Sequence, residues 1–168
     1  IDVETEDFSE GISILESYCN ATGKILVIRD WCFVNFAAHE YNRGNPPNRF
    51  LTLEALEGKI PLKVFGFIRD SIDVWISRGC PEIKNFFKEY SMYIQSLHEL
   101  GVPLFKYEEF CSDHERVLTA ICDYGGLEYA DISNSYRDFI NVNGDTQGKS
   151  RGGAQVGIKP LKRKHLTR

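Results

Sequence analysis

The sequence lacks three features that would place a chain of this size in a specialised class. It has five cysteines but no C-x-x-C pair, so the spacing argues against a zinc site and indicates separate thiols. No apolar run approaches the length of a membrane span and no signal peptide is visible, so we expect no span here. No phosphate loop of the form G-x-x-x-x-G-K-[ST] is present, which leaves a nucleotide kinase without its usual signature.

The composition is that of an ordinary globular domain, but its charge is unevenly distributed. The 168 residues are 42% hydrophobic and 26% charged, enough for one domain with a real core. The net charge is −4, yet seven of the twenty Lys and Arg residues and one acid lie from Asp145 to the end. A basic end on an acidic body indicates an anion site, a flexible end or both. It disfavours nucleic acid, whose backbone the acidic body would repel.

The most informative stretch is KVFGFIRDSIDVWISRG, residues 63–79. Its apolar run at 64–68 is typical of a buried strand in a parallel sheet, and Arg69 stands at the strand end. Ser71 is predicted to cap the helix that follows. Such a junction collects backbone N–H groups that suit a phosphate, and Arg69 and Ser77 could reach the same anion.

This stretch resembles the 3′-phosphate-binding segment of sulfotransferases that use 3′-phosphoadenosine 5′-phosphosulfate. In those enzymes an Arg ends an apolar strand and a Ser follows eight residues later. By that resemblance Arg69 and Ser77 would hold the 3′-phosphate of the nucleotide. The residues alone also allow a different interpretation, in which an Arg–Asp pair closes the strand and the serine lies on a solvated helix face.

Hydrophobic periodicity and turn residues predict the remaining elements. They are helices over 9–20, 50–56 and 82–100, strands over 24–28 and 102–107, and a helix that a capping box at Ser112 and Glu115 begins. The aromatic stripe of the 82–100 helix is interpreted as core. Strands that alternate with helices predict the α/β class, and the resemblance implies a three-layer sandwich with a mostly parallel sheet, as in phosphate-loop proteins.

A second segment, FKYEEFCSDHERVLTAICDYGGLE, also resembles the family, in which a strand ends in Tyr-Glu before a helix and Gly-Leu. The family's tyrosine lies against the adenine, so the resemblance assigns that role to Tyr107. From the residues alone, Tyr107 could equally be an amphipathic side chain that packs at a strand end.

A third segment lies in residues 144–168, which we predict to be a Gly/Lys/Arg-rich nucleotide-binding loop and basic tail. It resembles the family's return to the 3′-phosphate, which implies roles for Arg151, Gly152 and Gly153, with Gly157 as the later glycine. The family has an aromatic residue where Ile158 stands. A disordered basic tail is the alternative.

The family's 5′-phosphosulfate loop has no counterpart before Lys24, where the chain is acidic and contains one glycine. The resemblance therefore predicts that residues 1–168 form a single partial domain, the C-terminal two-thirds of a sulfotransferase, without the first strand.

The implied activity is transfer of a sulfuryl group from the nucleotide to an unidentified hydroxyl or amine acceptor, with no metal. A base must take the acceptor's proton. Asp30 stands near the family's position for this base, with His39 downstream, although Asp30 could instead pair with Arg29.

Two other functions remain open from the sequence: a non-catalytic sulfotransferase-like binding module, and a nucleotide-kinase-like domain. Separate thiols favour the cytoplasm. The Golgi lumen is the alternative if an anchor precedes this chain.

Overall fold

The computed structural model describes residues 7–131, which divide into two compact units. The first unit takes residues 7–64 and 81–101, and the second takes residues 65–80 and 102–131. The first contains helices α1 (Phe8–Ala21), α2 (Leu51–Leu56) and α4 (Ile83–Glu99), with short 3₁₀ helices at Cys32–Asn35 and Glu40–Asn42. The second contains strands β1 (Gly66–Ile68) and β2 (Leu104–Lys106) and helices α3 (Ser71–Ser77), α5 (Tyr107–Ser112) and α6 (His114–Gly125).

The two strands form a parallel pair, in register from Gly66 opposite Leu104 to Ile68 opposite Lys106. Helices follow both strands, so the predicted α/β class is confirmed at that level. The sheet has two strands within residues 7–131, and the predicted three-layer sandwich is a larger arrangement than these residues display.

The core of the second unit is built on this pair of strands. Phe65 meets Phe105 edge-on across the strands, with ring centroids 5.6 Å apart, and Phe67 meets Phe110 at 5.7 Å. Cys111 is buried in α5. These contacts bring the start of α5 against the strand ends.

The core of the first unit is the aromatic face of α4, as the periodicity predicts. Phe86, Tyr93 and Leu97 are buried on α4. The ring of Phe33 lies 6.0 Å from Phe86 and 5.4 Å from Tyr93. Aromatic burial of this extent dominates the stability of a small unit.

The predicted buried strand at 24–28 is wrong. The segment forms no strand with any described residue, and Ile25 and Val27 are 64% and 75% exposed. Its alternating exposure is that of an extended chain with one solvated side. An apolar run becomes a strand only when a neighbouring strand accepts its hydrogen bonds, and local sequence does not specify that neighbour.

Two predicted helix caps are wrong by one residue. Asp70, and not Ser71, caps α3, since its Oδ1 accepts the N–H groups of Ile72 and Asp73 at 2.9 and 3.2 Å. Asp113 caps α6 by accepting the N–H of Arg116 at 3.1 Å, which replaces the predicted box of Ser112 and Glu115. Aspartate and serine are almost equally good caps, so adjacent candidates compete closely.

Candidate nucleotide-binding site

The parallel pairing of β1 and β2 brings two predicted site residues together. Ile68 is opposite Lys106, so the next residues, Arg69 and Tyr107, leave the same edge of the sheet. The Arg69 guanidinium carbon lies 5.0 Å from the centroid of the Tyr107 ring. This is a cation–π contact, which places a fixed positive charge beside an aromatic face.

Tyr107 is the first residue of α5 and is half-buried. Its hydroxyl forms a hydrogen bond with the Cys111 side chain one turn later, and this bond is the main reason that the pKa of Tyr107 is raised. Burial raises the pKa further, whereas the charge of Arg69 opposes the shift. The Tyr107 ring is therefore fixed by a hydrogen bond at its hydroxyl and by the cation–π contact with Arg69. A planar ligand would have to stack on the part of the ring that Arg69 does not cover.

Three backbone N–H groups around the start of α3 are bonded to carboxylates. Asp70 accepts those of Ile72 and Asp73, and Glu108 Oε1 accepts the N–H of Asp70 itself at 2.9 Å. The sequence predicts a seat for phosphate at this turn, but an incoming phosphate would have to compete with these two carboxylates. The arrangement leaves anion recognition to side chains, with Arg69 first among them.

Ser77 is the last residue of α3 and is exposed. Its hydroxyl donates to the carbonyl oxygen of Val74 at 2.8 Å. Ser71 and Ser77 are about 9 Å apart along the helix axis, so Ser77 lies at the end of α3 away from Arg69. A phosphate accepts hydrogen bonds, so Ser77 would have to rotate its hydroxyl away from Val74 to donate to it.

The predicted base and its alternative both lie in the first unit. Asp30 is exposed, and its charge contributes to the raised pKa of the Cys32 thiol, for which burial is the larger cause. His39 has a structural contact, because its Nδ1 accepts the N–H of Tyr41 at 3.3 Å.

Three predicted nucleotide contacts, Arg151, Gly152 and Gly153, lie outside the described residues. The same is true of the whole 144–168 segment.

Sequence reasoning missed Asp70 as a cap and Glu108 as a partner of the Asp70 backbone. The first could have been found, since Asp is a preferred cap and precedes an apolar helical pattern. The second joins residues 38 positions apart in the chain, and no local signal encodes it.

Residues 7–131 contain no group of three or more His, Cys, Asp or Glu side chains placed to hold a metal ion. Among the helices of that same range, none is long and apolar enough to cross a bilayer.

Comparison with known proteins gives no match to a protein-family model, to a curated protein or to a solved structure.

Proposed function

We propose that this chain is part of a sulfotransferase domain that binds 3′-phosphoadenosine 5′-phosphosulfate. The observation that carries the proposal is the contact between Arg69 and Tyr107 at 5.0 Å. The resemblance assigns these residues to the 3′-phosphate and the adenine of one nucleotide, so they must be close in space. They are separated by 37 intervening positions in the sequence, and parallel pairing of β1 with β2 makes them neighbours.

In this proposal each site residue contacts a different part of the nucleotide or shares its 3′-phosphate. The Arg69 guanidinium pairs with the 3′-phosphate, Ser77 donates to it after rotation, and the Tyr107 ring packs against the adenine. Arg151, Gly152 and Gly153 would return to the same phosphate. The three-layer fold with a mostly parallel sheet belongs to the same proposal.

The reaction would transfer a sulfuryl group in line. The acceptor oxygen or nitrogen attacks sulfur, the bond between sulfur and the oxygen of the 5′-phosphate breaks, and adenosine 3′,5′-bisphosphate leaves. The acceptor's proton passes to a base, for which Asp30 is proposed. Cations near the departing oxygen would stabilise the charge that develops there.

A non-catalytic nucleotide-binding module is the second candidate. The carboxylates of Asp70 and Glu108 favour it, because they occupy amides at the junction where a phosphate would otherwise gain backbone donors. Such a module would bind the bisphosphate through Arg69 and Tyr107 and give no turnover with any acceptor.

Calorimetric titration with adenosine 3′,5′-bisphosphate and with adenosine 5′-monophosphate tests the proposal. We expect tighter binding of the bisphosphate, and we expect Arg69→Ala to remove that preference by weakening bisphosphate binding about tenfold or more. Arg49→Ala is the matched control, because Arg49 is an exposed arginine in a surface ion pair with Glu54 at 3.3 Å. Equal affinity for both nucleotides in folded protein would reject the nucleotide site.

A further inference from the structure

Three aromatic rings, Trp31, His39 and Tyr41, form a cluster on the surface of the first unit, which we term the aromatic platform. The His39 and Tyr41 rings stack with centroids 4.6 Å apart and planes at 28°. Trp31 meets His39 edge-on at 6.4 Å. Trp31 and Tyr41 are 68% and 75% exposed, more than any other Phe, Tyr or Trp among the described residues.

Asn42 fixes the loop that carries the platform. Its Nδ2 donates to the carbonyl oxygens of Val34 and Ala37 at 2.9 and 2.8 Å. Its Oδ1 accepts the N–H groups of His39 and Gly44 at 3.0 and 3.1 Å. One half-buried side chain thus makes four bonds to the backbone of its own loop.

The platform also rests on the core of its unit. Phe36 and Ala37, between Trp31 and His39 in sequence, are almost fully buried. The backbone of the loop that carries the rings is therefore fixed before any ligand arrives, so binding would order little of the loop. Because these large rings are exposed to water, their burial by a partner would contribute favourable free energy to binding.

The charges around the platform indicate the kind of partner. Arg29 and Asp30 adjoin Trp31 in the chain, while Glu40 and Arg43 flank Tyr41, and all four are exposed. Glu89 adds a third anion, since its Oε1 accepts the N–H of Ala38, beside His39, at 3.2 Å. Two cations and three anions nearly cancel, which gives little attraction for a polyanion or a polycation. Together they supply both donors and acceptors, the combination that a hydroxyl group satisfies.

We propose that the aromatic platform binds a neutral sugar, whose C–H face packs on the exposed rings while its hydroxyls contact the flanking charged side chains. β-Linked glucose suits the surface best, because all of its ring substituents are equatorial and both ring faces are therefore lined with C–H groups.

Tryptophan fluorescence tests the platform directly. The chain has two tryptophans, so Trp75→Phe leaves Trp31 as the single reporter. Titration with cellopentaose should shift Trp31 emission to the blue and saturate. Tyr41→Ala should weaken binding about tenfold, while Tyr18→Ala, which removes an exposed tyrosine from α1, should leave it unchanged. Saturation-transfer NMR on the unaltered chain gives the same test without the Trp75 substitution.

The possible outcomes separate the two proposals. No saturable response to cellopentaose, or equal loss in Tyr41→Ala and Tyr18→Ala, would overturn the platform as a sugar site. A shift that depends on protein concentration alone would assign the surface to self-association and would also overturn it. Saccharide binding without bisphosphate binding would keep the sugar site and reject the proposed function, whereas bisphosphate binding without saccharide binding would reject only the platform.

Discussion

Glu108 Oε1 accepts the backbone N–H of Asp70 at 2.9 Å and so joins the residue after Arg69 to the residue after Tyr107. Asp70 in turn caps α3. The cation–π pair is therefore flanked by a second link between the same two strand ends. This link holds the two halves of the proposed nucleotide site at a fixed separation.

Replacing Glu108 tests that link. Glu108→Ala removes the acceptor of the partly buried Asp70 N–H and should lower the free energy of unfolding by about 1–3 kcal/mol. Glu108→Gln keeps a side-chain oxygen in place, so its free energy of unfolding should fall much less. Urea unfolding measures both, and an equal loss in the two variants would mean that the hydrogen bond contributes little.

The Tyr107 ring, and not its hydroxyl, should determine nucleotide affinity. Tyr107→Phe removes the bond to Cys111 but keeps the ring beside Arg69, so bisphosphate affinity should stay within about threefold of the original. Tyr107→Ala removes the stacking surface and should weaken binding about tenfold. Calorimetry distinguishes the two, and an unchanged affinity in Tyr107→Ala would assign the ring to packing alone.

The proposed role of Asp30 predicts a change in turnover without a change in binding. In a preparation that transfers the sulfuryl group, Asp30→Asn should lower kcat by about a hundredfold or more, the range for loss of a general base. Bisphosphate affinity should stay the same, because the base acts on the acceptor. Glu57→Gln, which neutralises another exposed acid in the same unit, is the control, and near-normal turnover in Asp30→Asn would remove Asp30 from the mechanism.

The half-buried thiol of Cys32 predicts a loss of stability in alkali. Burial raises the pKa of Cys32 above its ordinary value of 9.0, while its Sγ lies 3.5 Å from the Tyr93 hydroxyl. Above pH 9.0 the unfolded thiol loses a proton that the folded thiol keeps, so the free energy of unfolding falls as pH rises. Below pH 9.0 the contribution of Cys32 to the free energy of unfolding is fully present.

Urea unfolding at about pH 8 and about pH 10 checks the sign, because the ordinary thiol titrates between these values. Cys32→Ala should show a smaller fall between the two conditions than the original chain. The two proteins are compared by the decrease in the free energy of unfolding between the two pH values. Their absolute stabilities are not compared, because the cavity that Cys32→Ala leaves lowers stability at both pH values. Equal falls in the two proteins would show that Cys32 does not titrate differently on folding.

Most helices were predictable from sequence because their signals are local, but α5 was missed, since Tyr107 was predicted to end a strand and instead begins this helix. The apolar spacing of α4 and the turn residues on either side of it determine both its length and its buried face. The end of β1 before Arg69 was also predictable, since a charged residue closes a short apolar run. Caps were less certain, because Asp70 and Ser71 are neighbouring residues of nearly equal capping strength.

The remaining features depend on contacts between distant residues. Residues 24–28 have the composition of a buried strand, but strand formation needs a neighbour that the sequence does not identify. The pairing of Glu108 with Asp70 follows from the register of β1 and β2. The aromatic platform was missed because its rings show no helical or strand period, and their clustering depends on the bonds that Asn42 makes.

The extended segment at 24–28 has a consequence for the behaviour of the chain in solution. Ile25 and Val27 present β-branched side chains to water in a segment that belongs to no strand of residues 7–131. Such a segment can add to a strand of another molecule, with Lys24 and Arg29 as the charged residues that oppose it. Concentrated samples should therefore form oligomers through this segment, and salt, which screens the two cations, should hasten the process.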